Sequence, residues 1–327
     1  MSEQKIVIAN CLDHLRTMPD ACIDMCITSP PYWALRDYGT EPVVWGKGCD
    51  RHTFDEDGYC TCGAWKGQLG LEPSPNEYVD HLIMVFDEVK RVLKPTGACW
   101  VNIGDTYATT SGFVGDTKGI ARSLDSILSA KKVREGLDRT EFPQKTLCQI
   151  PSRFALAMTG HGWILRNECI WRKVNVMPTP TKDRFTVDFE KFFFFTKNSQ
   201  YYFKQQFEPV QKSQTFPQRS VPLFDEDGDA YGCDAEGRNC RATWDIPTKG
   251  NHNNHVAMFP KELIKRPIDA CCPKGGTVLD PFCGSGTVLE YCWEKDIDAI
   301  GIEINPDYEE IIKKRANHGQ SRLYDHF

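Results

Sequence analysis

Residues Thr277–Asp280 read T-V-L-D, a short apolar run that ends on a carboxylate. Phe282-Cys283-Gly284-Ser285-Gly286-Thr287 follows, and the spacing predicts a helix over 287–295 and a strand over 299–304. That second strand ends in Gly301-Ile302-Glu303-Ile304-Asn305-Pro306, with Glu303 lying 23 residues after Asp280. Strand, tight glycine turn, helix, strand is the unit that most constrains the fold. Two such strands run parallel only if a helix crosses a sheet face between them. Glycines at the turn let the backbone approach a ligand and leave helix amides available to it. An acidic residue at the end of the second strand is placed to accept hydrogen bonds from ribose hydroxyls. An ordinary helix-packing turn with a surface glutamate explains a lone G-x-G. Two consecutive strand ends with this chemistry favour a nucleoside cofactor. The dinucleotide fingerprint G-x-G-x-x-G and a phosphate-binding Walker loop are both absent from the turn.

The rest of the chain repeats the theme. Strands are predicted over 5–9, Ile23–Thr28, 98–103, 165–172 and 191–196, and helices over 11–18, 78–93, 150–158 and Lys261–Cys271. On the helix over 78–93, Val79, Leu82, Ile83, Phe86, Val89, Val92 and Leu93 form one apolar face, and Pro95-Thr96-Gly97 is the expected stop. Strands alternating with helices predict an α/β protein with a mainly parallel sheet covered on both faces. Residues 39–76 are rich in Gly, Pro, Cys and charge and read as an insertion. Residues 105–145 are polar and Gly-rich, and 204–250 lack periodicity.

The net charge of −6 excludes a global basic field, so any nucleic-acid contact has to rest on local basic clusters. No signal peptide and no apolar run near the ~20 residues of a bilayer span is seen, and a cytoplasmic location without membrane association is expected. Fifteen scattered cysteines then read as reduced thiols plus one metal site rather than a disulfide framework. That site is Cys49-x-x-His52 followed by Cys60-x-Cys62: three thiols and an imidazole suit a structural zinc in an insertion too short for its own core. Unliganded thiols in a loop are the plainer reading, and C-x-C crowds two ligands. Cys233 and Cys240 offer too few ligands for a second site.

A second stretch stands out. The apolar strand Ile23–Thr28 runs into Ser29-Pro30-Pro31-Tyr32-Trp33. The exocyclic amine of a nucleobase is a poor nucleophile because its lone pair is delocalised into the ring. Acceptors aimed at its hydrogens make it more tetrahedral. Ser29 offers a hydroxyl oxygen and Pro30 a carbonyl with no competing amide hydrogen. Pro31 stiffens the loop, and Tyr32 offers a flat face to a flipped-out base. A rigid proline turn with core aromatics is the alternative.

Thr28-Ser29-Pro30-Pro31-Tyr32 together with Asp280-Pro281-Phe282-Cys283-Gly284-Ser285-Gly286-Thr287 resembles the DNA amino-methyltransferases that use S-adenosylmethionine. The catalytic motif precedes the cofactor motif, as in the β group, a circularly permuted order. The resemblance spans most of the chain, including Ile170-Trp171-Arg172-Lys173 to Asn175, Phe192 to Lys197, and His255 to Pro260. It implies a Rossmann-like methyltransferase fold with a mixed seven-stranded sheet. Residues 1–38 and 77–203 would form the catalytic half, 251–327 the cofactor half and 204–250 the target-recognition region. Ser29, Pro30, Pro31 and Tyr32 would hold the target base. Asn10, Cys11, Asp280, Phe282, Gly284, Ser285, Gly286 and Thr287 would line the cofactor, and Glu303 would hold its ribose. Asn10 stands where the family often has Gly-Asp, so a plain helix N-cap is its competing role. Double-stranded DNA is the implied partner, and a cognate restriction endonuclease is a partner the resemblance allows for.

Serine before Pro-Pro-Tyr, where other members have aspartate, points to the N4 amine of cytosine, with N6 of adenine as the alternative. A C5-cytosine enzyme would need a cysteine nucleophile in a Pro-Cys loop, and neither Cys26 nor Cys272 has that context. RNA or protein-glutamine methyltransferases use related N-P-P-Y loops and are disfavoured by Ser29 and the motif order. A non-catalytic DNA-binding module is disfavoured by the intact motifs. Arg219, Arg238 and Arg241 are candidate readers of guanine edges, and Lys131, Lys132 and Arg134 candidate phosphate clamps, each with a solvated-surface alternative. Lys182 and Arg184 are expected near the catalytic rim.

Overall fold

The computed structural model describes residues 2–46, 48–49, 51–108, 142–208, 223–224, 230–231, 238–248 and 259–316. The candidate clamps Lys131, Lys132 and Arg134, with Arg219, Cys233 and His255 to Met258, lie outside the described residues.

In chain order the strands are β1 Gln4–Ile8, β2 Ile23–Thr28, β3 Val43–Trp45, β4 Trp65–Gly67, β5 Leu93–Ile103, β6 Ile164–Arg172 and β7 Phe189–Thr196. The short β8 Phe207–Glu208, β9 Leu223–Phe224, β10 Ala230–Tyr231 and β11 Arg238–Asn239 follow, then β12 Thr243–Asp245, β13 Thr277–Asp280 and β14 Asp298–Glu303. The helices are α1 Cys11–Thr17, α2 Pro75–Val92, α3 Ile150–Gly160, α4 Lys261–Cys271, α5 Thr287–Glu294 and α6 Glu309–Ala316. Helix α2 begins three residues earlier than expected because Ser74 and Glu77 close a capping box with Pro75 in the first turn. Pro95-Thr96-Gly97 does not separate helix from strand. Pairing of β2 with β5 jumps from Ile23–Leu93 to Met25–Ala98, so the tripeptide bulges out inside β5.

The main sheet has eight strands in the order β1-β14-β13-β2-β5-β7-β6-β12. Seven of these are the expected ones. The eighth, β12, is three residues long, too short to show periodicity, and pairs parallel with β6 at the sheet edge. The sheet is mixed because β7 lies antiparallel to both β5 and β6. Residues 173–188, which join β6 to β7, contain no described helix, so the chain returns as a hairpin instead of crossing over.

Layering follows from the alternation of side chains along a strand. In Phe192-Phe193-Phe194-Phe195, Phe193 and Phe195 pack with α2 and α3, while Phe192 and Phe194 pack with α4 and α5 on the other face. This run is apolar on both faces because the sheet is buried on both. Among the described residues no helix is long and apolar enough to cross a membrane.

Candidate active site

Strand direction decides where the chemistry gathers. The strands β1, β14, β13, β2 and β5 are mutually parallel, so their carboxyl ends share one edge. The antiparallel β7 brings its start to that edge, and β6 its end. Ligands of open α/β sheets bind there. A cavity of about 470 Å³ opens along it, lined by Asn10, Cys11, Ser29, Pro30, Pro31 and Tyr32 from one side and by Phe282, Gly284, Ser285, Thr287 and Glu303 from the other. The two sequence motifs, some 250 residues apart, are thus walls of one space.

The glycine turn is built as a cradle. Glu303 accepts the Gly284 amide through Oε2 at 2.8 Å and the Asn305 amide through Oε1 at 2.9 Å. Each oxygen keeps a lone pair for a further donor. Burial pushes the Glu303 carboxyl up. Gly284 has φ +52, and a Cβ there would meet no protein atom within 4 Å. It would instead project into open space, so the glycine leaves room for a ligand at the turn. Gly286, at φ +85, does not line the cavity. It packs against Ile312, whose Cγ2 would lie 3.0 Å from an added Cβ. Ser285 and Thr287 accept hydrogen bonds from Arg315 Nη1 at 2.9 and 3.3 Å.

Asp280 is also set back from the cavity. It is 1% exposed, and Oδ1 accepts the Thr28 hydroxyl at 2.6 Å and the Phe282 amide at 3.1 Å. It therefore staples the end of β2 to the start of the glycine turn. Burial pushes its carboxyl up to about 7. Asn10 caps α1, its Oδ1 accepting the Asp13 amide at 3.1 Å, and it lines the cavity as well. The helix N-cap is therefore present, and it does not withdraw the side chain from the cavity. Burial pushes the Cys11 thiol up to about 12, which keeps it neutral as an apolar part of the wall. Cys26 is 0% exposed within β2, which leaves it no path to a substrate.

The Ser-Pro-Pro-Tyr loop is held from several sides. Tyr78 donates to the Pro31 carbonyl at 2.6 Å, and Trp33 Nε1 donates to the Glu72 carbonyl at 2.9 Å. One side of the Tyr32 ring abuts Gly104, where a Cβ would lie 2.3 Å from Cε2. The Tyr32 hydroxyl lies 2.8 Å from Glu190 Oε2 and 3.0 Å from Asn102 Oδ1, which share its proton. Ser29 donates to the Tyr32 oxygen at 3.5 Å, at the long limit of a hydrogen bond. Glu190 is paired in turn with Lys173. Burial, and then the Glu190 charge, raise the Tyr32 phenol well above its ordinary range, so it remains a donor.

Asn102, Glu190, Lys173 and Trp171 all line the cavity. Asn102 and Glu190 were not singled out from the sequence. The signals were there: Asn102 interrupts the apolar run of β5 yet is 1% exposed, and Glu190 precedes four phenylalanines. What could not be read was the antiparallel register, which sets Trp171 opposite Glu190 and Asn102 opposite Phe192.

Arg238 and Arg241, expected as base readers, both pair with Glu208, at 2.9 and 2.6 Å. The Arg184 guanidinium lies over the Tyr107 ring, 3.6 Å from its centroid, and Lys182 is exposed. Cys49, His52, Cys60 and Cys62 converge, with all their ligand atoms within 4.8 Å of one another.

A family model described as DNA methylase, covering N6 and N4 methyltransferases, matches residues 23–314. The chain is 37% identical over 308 residues to the Type II methyltransferase M.Cfr9I of Citrobacter freundii, covering 93% of this chain and 84% of that protein. It is 31% identical over 311 residues to M.SmaI of Serratia marcescens, covering 95% and 90%. The fold is shared with the PvuII DNA methyltransferase (cytosine-N4-specific), at a TM-score of 0.57 and 18% identity over 96% of this chain and 86% of that one. It is also shared with the Thermus thermophilus protein TTHA0409, solved in complex with S-adenosyl-L-methionine, at a TM-score of 0.54 and 20% identity over 99% of this chain and 97% of that one. With a family match over most of its length and both motifs meeting in one cavity, the chain belongs to the N6/N4 DNA methylase family, the DNA amino-methyltransferases.

Proposed function

We propose that the protein transfers a methyl group from S-adenosylmethionine to the N4 amine of a cytosine flipped out of double-stranded DNA. The observation that carries this reading is that Ser29 faces the same cavity as Gly284 and Glu303 while its own proton is directed to Tyr32. The fit of the cofactor rests on the open space over Gly284 and the spare lone pairs of Glu303. Phe282, Ile302 and Ile304 add apolar wall, and Glu303 would accept from ribose hydroxyls. Bound there, S-adenosylmethionine would supply an electrophilic methyl group with S-adenosylhomocysteine as the leaving group, and the amine nitrogen would give up one proton to solvent as the N–C bond forms.

The protein's part is to prepare the amine. Because Ser29 donates to Tyr32, its oxygen lone pairs are left to accept from the target. Tyr32 keeps its proton and donates it in hydrogen bonds to Glu190 and Asn102, and each bond in such a chain strengthens the next. An amine hydrogen bonded to Ser29, with the Pro30 carbonyl as second acceptor, draws the nitrogen lone pair out of the ring. Trp171, Tyr32 and Lys173 line the part of the cavity nearest β6 and β7, where the flipped base would sit. The serine favours cytosine because aspartate takes this position in adenine-directed members, and the PvuII enzyme of the same fold is named as cytosine-N4-specific. N6-adenine methylation requires the same machinery and is the second reading. The Type II relatives make a cognate endonuclease part of the proposed setting.

The test is transfer of labelled methyl groups to unmethylated duplex DNA of mixed sequence, followed by hydrolysis to bases. Label in N4-methylcytosine supports the proposal, label in N6-methyladenine the second reading, and label in 5-methylcytosine contradicts both. Label in RNA alone overturns both.

A further inference from the structure

We propose that Cys49, His52, Cys60 and Cys62 form a structural zinc centre that holds one wall of the active-site cavity and, through it, the Ser-Pro-Pro-Tyr loop. All four ligand atoms lie within 4.8 Å of one another, and three of their separations match the edges of a tetrahedral site. Ligands at the usual zinc bond lengths of about 2.0–2.3 Å place two sulfurs about 3.8 Å apart and sulfur and nitrogen about 3.5 Å apart. Cys49 Sγ lies 3.6 Å from Cys60 Sγ and 3.5 Å from His52 Nδ1, and Cys62 Sγ lies 3.5 Å from the same nitrogen. The cysteines are free, and three thiols with one imidazole in this arrangement select zinc.

The surrounding chain is shaped to this cluster. The Cys60 amide donates to the Ala64 carbonyl at 2.8 Å, which folds the Cys60-x-Cys62 segment back on itself and brings its two sulfurs to one side. Gly63, at φ +84, makes the turn after Cys62, its amide donating to the Cys60 carbonyl at 2.8 Å. A Cβ on Gly48 would lie 2.0 Å from the Cys62 sulfur, so only glycine lets the two strands of ligands close. This is how the crowded C-x-C spacing is accommodated. The large buried side chains of the insertion, Trp45, Trp65 and Leu69, join the main core and do not form a separate one, which leaves the Cys/His end of the loop to be held by metal.

From the cluster a continuous set of contacts leads to the catalytic loop. The hairpin β3–β4 carries Trp45 and Trp65 opposite one another, and both stack on His81 of α2, with centroids 5.2 and 5.6 Å away. His81 Nδ1 lies 3.1 Å from Oε1 of Glu72, which is fully buried. The other Glu72 oxygen accepts the Gly70 amide at 2.8 Å. Gly70 in turn accepts the Ala34 amide at 2.8 Å and lies so close to Tyr32 that an added Cβ would be 3.2 Å from its carbonyl oxygen. Ala34 sits at φ +56, a left-handed conformation costly for a residue with a Cβ, and this bond helps to hold it. Thr40, Val43, Trp45, Gln68 and Leu69 of the insertion themselves line the cavity. The wall is relevant to methyl transfer only if the proposed function holds, but its link to the metal can be measured without it.

The experiment starts with elemental analysis of the full chain purified without added metal. About one zinc per chain is expected, and replacement by cobalt should give the intense visible bands of a tetrahedral thiolate site. Cys60→Ser should lose the metal. If that variant does not fold, the cobalt spectrum of the unaltered chain decides. A chain devoid of zinc, or one carrying a Cys49–Cys60 disulfide, overturns the proposal. Removing zinc with a chelator should speed hydrogen exchange at the Gly70 and Ala34 amides at least about tenfold while β13 and β14 stay protected. Unchanged exchange at both amides overturns the link between metal and wall. Neither readout depends on which base, or which cofactor, the cavity takes.

Discussion

Tyr32 donates its hydroxyl toward the Glu190 carboxylate, 2.8 Å away, across 158 residues of sequence. This contact places a charged acceptor behind the tyrosine and sets the direction of the bond that Ser29 makes to it. Ser29 thereby presents lone pairs to the cavity without being an anion. An aspartate in this position needs no such arrangement, because a carboxylate is an acceptor only.

Ser29→Ala should abolish most methyl transfer and spare cofactor binding. Removing one preorganised polar group at the reacting atom costs about 10²- to 10³-fold in rate elsewhere, and a loss of that size is expected here. S-adenosylhomocysteine affinity, measured by calorimetry, should stay within about twofold, since Ser29 accepts from the target and not from the cofactor. Equal losses in binding and rate would remove Ser29 from the reacting centre.

Glu190→Gln keeps the shape of the side chain and removes its charge. The Lys173 ammonium then lacks its partner, and Tyr32 loses the charged acceptor. Single-turnover transfer should slow by about 10- to 100-fold, in line with a charge-assisted hydrogen bond of about 1.5–3 kcal/mol. Tyr32→Phe should slow it to a similar extent, and the double variant should be no slower than either single one. Additive losses would show that the two residues act separately.

Two glycine substitutions should separate cofactor from base. Gly284→Ala projects a methyl group into the cofactor space at a positive φ and should weaken S-adenosylhomocysteine binding by about tenfold or more. Gly104→Ala would place a carbon 2.3 Å from the Tyr32 ring, so the ring must move. Here the transfer rate should fall while cofactor affinity is kept. Calorimetry and single-turnover kinetics on both variants check the crossed pattern.

Asp280 predicts a pH dependence of stability. Its carboxyl is raised to about 7 in the folded state by burial, against an ordinary value near 3.9 when unfolded. Below about pH 4 the group is protonated in both states and costs nothing. Between about pH 4 and 7 the unfolded chain ionises first, so stability falls as pH rises, to a limit of about 4 kcal/mol. Asp280→Asn can still accept from Thr28 and Phe282 and does not titrate. Urea unfolding should therefore show a stability gain for the variant that is larger at pH 8 than at pH 5. A gain independent of pH would mean that the carboxyl is ionised in the fold.

Both motifs and nearly every long element could be read from the sequence, because each is local: strand alternation, helical spacing, glycines at a turn, prolines after a strand. The apposition of Ser29 and Glu303 follows once β2, β13 and β14 are parallel neighbours. What stayed hidden was set by register and direction. Asn102, Glu190 and Lys173 meet only because β7 turns back between β5 and β6, and no spacing rule encodes that return. The set-back positions of Asp280 and Gly286 were hidden for a similar reason. Their residue types fit a ligand site equally well, and only the packing of Thr28 and Ile312 against them shows that they support it.

If N4 of cytosine is the reacting atom, the product nucleoside identifies it. Duplex DNA methylated by the purified chain should be digested to nucleosides and resolved by chromatography with mass spectrometry, which separates the isomers N4-methyl- and 5-methyl-deoxycytidine. N4-methyldeoxycytidine is expected as the sole product of the wild type and should be lost in Ser29→Ala. N6-methyldeoxyadenosine would contradict the choice of base, and 5-methyldeoxycytidine would contradict the mechanism itself.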